Sequence, residues 1–173
     1  SIEIREAVDG GLALRHAVLH LEDYDWVVVT SPNGAQALLV ALRTEGLDAR
    51  ALGGTKLAAL GPGTADALAT GNVLADLVPP RYVAEELLAA FPHPPADPAR
   101  RRVLLARAMV ARDVLPDGLR AMGWDVDVVD AYRTVAAPLE GARRVELAKA
   151  DLITFTSSST VTRFLEIAGR ESV

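Results

Sequence analysis

Serine, threonine, tyrosine and arginine carry whatever chemistry this chain can do. Two segments share one pattern: Asp25-Trp26-Val27-Val28-Val29-Thr30-Ser31-Pro32 and Asp151-Leu152-Ile153-Thr154-Phe155-Thr156-Ser157-Ser158. Each reads as a buried strand that ends in a hydroxyl-rich turn and opens a helix. A helix N-terminus presents free N–H groups and partial positive charge, so such a corner suits an anion. Ser31, Ser157, Ser158 and Ser159 sit in no Gly-x-Ser-x-Gly elbow and have no evident activating histidine, so hydrogen bonding or capping is expected of them, not nucleophilic attack. Gly61-Pro62-Gly63-Thr64 is a third turn, with Thr64 as helix N-cap or ligand donor. It is not a dinucleotide fingerprint, because Asp66 stands where the third glycine is required. Arg107 and Arg112 follow the strand 103–106, near the sheet's carboxyl edge, where arginine suits carboxylates. Tyr132 aims a phenol from a linker. His16 and His20 lie four apart on a helix, but no adjacent carboxylate motif supports a metal site.

Bulk properties narrow the classes. The 173 residues are half hydrophobic, with a formal net charge of -5 and no cysteine. Thiolate catalysis, disulfides and cysteine-based metal sites are therefore absent, which fits a reducing compartment such as the cytoplasm. An acidic chain is not expected to coat nucleic acid or dock on a membrane, though local N–H donors can still bind a small anion.

The elements that must position these residues alternate between strand and helix, as in a parallel sheet covered on both faces. Strands are expected at 26–29, 57–60, 73–78, 103–106 and 124–129. Helices are expected at 12–21, 35–43, 65–69, 83–91, 110–122 and 139–148. Residues 1–9 and 126–135 read as two strands of a linker that pair with each other. Residues 10–125 then form a complete α/β domain. Residues 136–173 start a second, similar domain that is only partly present, so the first is inserted into its neighbour and both ends look cut through structure.

Read in order, several motifs resemble the uroporphyrinogen-III synthase family. They are Trp26 to Gly34, Leu60 to Ala65, Tyr82 to Leu88, Val103 to Arg107, Ala111 to Leu115, Gly123 to Val129 with Ala131-Tyr132-Arg133-Thr134, and Leu152 to Ser159. No single motif is specific; their order over nearly the whole chain is. The resemblance implies two flavodoxin-like domains, the five-stranded parallel sheet of one inserted through a two-stranded linker into the other. It implies cyclisation of hydroxymethylbilane, a linear tetrapyrrole, with inversion of ring D and loss of water, and no metal or cofactor. It further implies that Tyr132 assists departure of the hydroxyl, and that Ser31, Asn33, Thr64 and Arg112 bind substrate on one domain while Ser157 and Ser159 bind it on the facing one. A monomer is expected, with at most transient contact with the preceding pathway enzyme. The alternative is a non-catalytic ligand-sensing domain of the same fold within a regulator. The family's first strand and a second Gly-Pro-x-Thr-Ala turn are not found in the sequence.

Overall fold

Three short apolar runs, 26–29, 57–59 and 103–106, form adjacent strands of a sheet in which each is buried on both faces. In β2 (Trp26–Val29) all four residues are buried. It pairs in parallel with β3 (Lys56–Ala59) on one side and β4 (Arg102–Ala108) on the other. β5 (Asp125–Ala136) extends the parallel set beyond β4, and β1 (Ile2–Glu6) lies outside β5, giving the order β1-β5-β4-β2-β3. The computed structural model describes residues 2–98, 100–136, 152–154, 161, 164 and 165.

Alternation along the strands builds two cores. Val27, Val29, Leu57, Ala59, Leu104 and Ala106 point to one face. There they meet α1 (Leu12–Val18), α2 (Pro32–Thr44) and α3 (Pro62–Ala69). Trp26, Val28, Ala58, Val103 and Leu105 point to the other, against α4 (Ala84–Ala90) and α5 (Val114–Ala121). Strand residues buried on both faces read as unbroken apolar runs, which is why these strands were visible without alternation.

Two expectations need correction. Residues 73–78 do not form a strand; only Leu77 makes a single parallel bridge, to Ala58. The Asp76 carboxylate accepts the Leu57 N–H at 2.8 Å, taking a donor that a ladder would use. Pro79-Pro80 follow and cannot donate. The sheet still has five strands, because β1 joins it beside β5. Likewise α5 starts at Val114 rather than near residue 110. Pro116 is tolerated in a first turn, whose N–H groups lack partners anyway, but an earlier start would leave it breaking the helix interior.

The chain divides into two compact units, residues 6–133 and residues 1–5 with 134–173. The first holds both cores. In the second, the expected helix 139–148 and the turn carrying Ser157 and Ser159 lie outside the described residues. Val161, Phe164 and Leu165 are helical, within the helix expected after that turn.

Candidate active site

The strand order reverses direction between β2 and β4. The chain leaves β2 through α2 to β3 on one side, then returns to β4 and passes through α5 to β5 on the other. Helices that follow neighbouring strands therefore splay to opposite faces, and a crevice opens at the carboxyl ends of β2 and β4. Ligands of open α/β sheets bind at such a switch point. A cavity of about 260 Å³ lies there, lined by Thr30, Ser31, Leu60, Tyr82, Arg107 and Tyr132, among others. Thr30 and Leu60 directly follow β2 and β3, and Arg107 and Tyr132 belong to β4 and β5, so all four parallel strands contribute.

Ser31 is the N-cap of α2: its extended backbone lets Oγ accept the Gly34 N–H at 3.1 Å. Pro32 suits the first helical position, where its missing N–H costs nothing. Oγ also donates to the Tyr132 hydroxyl at 3.0 Å. That bond spans about a hundred residues and ties the end of β2 to the end of β5. A bulge sets it up. Arg107 is opposite Asp130, but Ala108 is opposite Tyr132, so Ala131 is an extra residue in β5. Bulges re-aim a side chain at a sheet's end. Here Ala131 enters the core, and Tyr132, half-buried, packs against it with its hydroxyl at the cavity.

Arg107 is held more firmly than Arg112. Its side chain is only 14% exposed, and Nη2 donates to Asp113 Oδ1 at 2.7 Å while Nη1 donates to the Arg112 carbonyl at 3.0 Å. Its Nε is buried with no partner. Arg112 lines the same cavity but is 76% exposed, with Glu85 at 3.9 Å. Of the predicted site residues, Ser31, Arg112 and Tyr132 thus converge. Asn33 is exposed on α2, outside the lining. Thr64 is not the N-cap of α3; Gly61 is, because Pro62 takes the first helical position. Thr64 is buried in the first turn and does not line the cavity. Ser157 and Ser159 lie outside the described residues. Tyr82 went unnoticed as a site residue. The signal was Gly61: a Cβ there would come within 3.1 Å of Tyr82 Cβ and Cγ, so the glycine makes room for that ring.

With two hydroxyls, two phenols and two guanidinium groups beside apolar side chains, the site can hydrogen-bond and hold an anionic, partly apolar ligand. A family model described as HEM4, uroporphyrinogen-III synthase HemD, matches residues 1–172. The chain belongs to this family. It is 31% identical over 156 residues to the porphyrin biosynthesis protein HemD of Ruminiclostridium josui, covering 88% of the chain and 30% of that relative. It is also 31% identical over 163 residues to the uroporphyrinogen-III synthase of Synechococcus elongatus, covering 90% of the chain and 59% of that relative. A crystallised mutant uroporphyrinogen III synthase of Thermus thermophilus shares the fold, with a TM-score of 0.67 at 20% identity over 95% of this chain and 64% of that one. The chain therefore spans less than two thirds of the length of these proteins.

At the opposite edge of this uroporphyrinogen-III synthase family chain lies a polar network of another kind. Tyr24 donates to Asp127 Oδ2 at 2.8 Å, and Arg102 donates to the same oxygen at 2.7 Å. The Arg102 guanidinium also lies 4.6 Å from the Tyr24 ring centre and 3.2 Å from Asp23. Burial, reinforced by the Asp127 carboxylate, pushes the Tyr24 phenol up to about 12. Burial alone would raise the Asp127 carboxyl, but the bonds from Tyr24 and Arg102 outweigh it and hold it below the usual range. These groups satisfy one another and lie at the amino ends of β4 and β5, so they clamp strands rather than meet ligand. The rings of His16 and His20 lie tilted against each other with centres 4.9 Å apart, and no group of three metal-ligating side chains occurs among the described residues. Among the described residues, no helix is long and apolar enough to cross a membrane.

Proposed function

We propose that the protein of which this chain is part is a uroporphyrinogen-III synthase: a lyase that converts hydroxymethylbilane to uroporphyrinogen III with loss of water and inversion of ring D. The observation that carries this reading is Tyr132 in the cavity wall, its hydroxyl accepting a hydrogen bond from the N-cap serine of α2. Because the Ser31 proton is directed at the tyrosine oxygen, the phenol's own proton is free to point at a ligand.

The chemistry asks for such a donor. The hydroxyl of ring A's hydroxymethyl group leaves as water, taking the phenol's proton, while the pyrrole nitrogen's lone pair supplies the electrons; the methylene carbon stays behind as the exocyclic carbon of a protonated azafulvene. The substituted carbon of ring D then attacks that exocyclic carbon to form a spiro centre. Fragmentation and rejoining reverse the order of the ring D substituents, and loss of a proton restores the aromatic ring. Tyr132 needs only to donate, a general-acid contribution, while the cleft brings ring D to the azafulvene, a proximity contribution. The cavity is below the 300–1,000 Å³ usual for whole ligands, so it suits one substituted ring, not the full bilane. Ser31, Arg112 and Arg107 suit that ring's carboxylates.

In this reading residues 10–125 are a flavodoxin-like domain inserted through strands 1–9 and 126–135 into a second such domain begun by 136–173. Asn33, Thr64, Ser157 and Ser159 are kept as substrate-binding residues. For Thr64 the role would pass through the turn it helps to shape. The linear tetrapyrrole is the partner, and the protein acts as a cytoplasmic monomer without nucleic acid, metal or cofactor.

The test is product identity. Full-length protein given hydroxymethylbilane yields the type III isomer, and Tyr132→Phe slows this by about 10²-fold or more, the usual weight of a positioned acid. Only the spontaneous type I isomer from the intact protein would overturn the proposal.

A further inference from the structure

The unpaired Nε of Arg107 calls for an explanation, since buried N–H groups nearly always find an acceptor. A guanidinium offers its Nε–H and Nη2–H as one parallel pair, the edge that takes a carboxylate through two bonds. Asp113 uses half of that edge: Oδ1 meets Nη2 at 2.7 Å, and Nε has nothing. The third group, Nη1, is spent on the Arg112 carbonyl at 3.0 Å, which fixes the guanidinium against the 110–113 loop. The two partners are unequally placed. Arg107 is 14% exposed and rooted in β4, while the Asp113 side chain is 66% exposed. Asp113 is the N-cap residue of α5, yet its side chain caps no N–H there, so the helix does not hold it. One partner is fixed at the cavity and the other is free to leave.

We propose that Arg107 is a carboxylate subsite of this cavity and that Asp113 is its resident, displaceable counterion. A ligand carboxylate takes both Nε–H and Nη2–H, Asp113 swings into solvent, and the orphaned donor gains its acceptor. The exchange is one carboxylate for another, so the guanidinium is never left bare in a partly buried place, where an unpaired charge would be costly. The ligand class is a carboxylate borne on a short flexible arm beside an apolar ring, because Arg107 lines a cavity with Leu60, Leu105 and Leu115 in its wall. This rests on the reading of the cavity as the substrate site, and it adds that the site carries its own competitor.

A competitor and a merely structural brace differ in sign. Removing a competitor tightens binding; removing a brace loosens it. The experiment uses full-length protein, wild type, Asp113→Asn and Arg107→Lys, with hydroxymethylbilane as substrate and 1,2-phenylenediacetate, whose carboxylates sit on one-carbon arms of an apolar ring, as an unreactive probe. Asp113→Asn lowers KM and tightens probe binding by about two- to five-fold, the span of a solvent-exposed ion pair. Arg107→Lys, which keeps charge but loses the two-donor edge, raises KM about ten-fold or more. In a ¹H–¹⁵N spectrum, the Arg107 Nε signal, assigned by its absence from Arg107→Lys, moves downfield as probe is added. A raised or unchanged KM in Asp113→Asn, or an Nε signal indifferent to the probe, overturns the exchange while type III product still forms. Absence of type III product in wild type would instead overturn the functional reading, and the probe titration would then judge the subsite by itself.

Discussion

Replacing Gly71 by alanine tests whether the spacing of α2 and α3, whose N-termini open at the cavity edge, is set by one glycine. Gly71 follows the last turn of α3, and its N–H donates to the Leu68 carbonyl at 2.9 Å. A Cβ there would stand 2.4 Å from Leu39 Cδ2, 2.9 Å from Cδ1 and 3.2 Å from Cγ. Three overlaps with one isopropyl group cannot be relieved by turning its end alone. Leu39 is 5% exposed within the core under α2, so it has no free space to enter. An off-rotamer side chain costs about 0.5–1.5 kcal/mol, and inserting a methyl into a packed core costs about 1–3 kcal/mol in all. We expect Gly71→Ala to lose about 2 kcal/mol.

Gly118→Ala is the internal comparison, because its Cβ would come equally close to a leucine, 2.4 Å from Leu88 Cδ1. Two things differ. Gly118 is inside α5, where alanine is favoured by about 1 kcal/mol, and Leu88 is only half-buried and can turn outward. The net change is expected within about 1 kcal/mol of zero. Urea unfolding at matched m-values compares the two. A double-mutant cycle adds a check: in Leu39→Ala the overlap has gone, so Gly71→Ala costs about 1–2 kcal/mol less there than in wild type. Equal losses for the two glycine variants, or additivity within about 0.5 kcal/mol, would refute the packing argument.

The Tyr24–Asp127–Arg102 clamp predicts stability that fades at both pH extremes. Tyr24 is raised to about 12, so its contribution is whole below the unfolded phenol's value near 10 and is lost as pH climbs through 12; Tyr24→Phe should flatten the urea midpoint over that window. Asp127 is lowered, so its contribution is present above about 4 and is lost as pH falls through its depressed value; with 43% of its side chain exposed, the loss seen in Asp127→Asn should stay under about 1 kcal/mol. Gly61→Ala should cost less than about 1 kcal/mol, since its φ of -164° suits any residue and the exposed Tyr82 ring can move aside. Its effect should appear instead as a raised KM, because Tyr82 then leaves the cavity wall; an unchanged KM would remove Tyr82 from the site.

What was legible in the sequence divides along a physical line. The strands 26–29 and 103–106 and the helix that follows the first rest on local signals, unbroken apolar runs and turn chemistry, and these lie where expected, while the helix after 103–106 starts later, at Val114. The segment 73–78 has the same apolar look, yet Asp76 diverts the Leu57 N–H, an event decided by a partner nineteen residues away. Thr64 was misplaced by one kind of ambiguity: Gly61 and Thr64 are both capable caps, and only the position of Pro62 in the folded helix decides. Tyr132 and Ser31 were each visible as polar residues at the ends of apolar runs. That they touch follows from the bulge at Ala131, and a bulge leaves no mark in a sequence because it is a fact about two strands. Arg107 shows the same limit from the other side. Its place after β4 was readable, but its importance comes from an unfilled donor, and an unfilled donor exists only when every neighbour's bonds have been counted. Local signals thus lay out the strands and helices that frame the cavity, while the pairings that set its chemistry belong to contacts between distant residues.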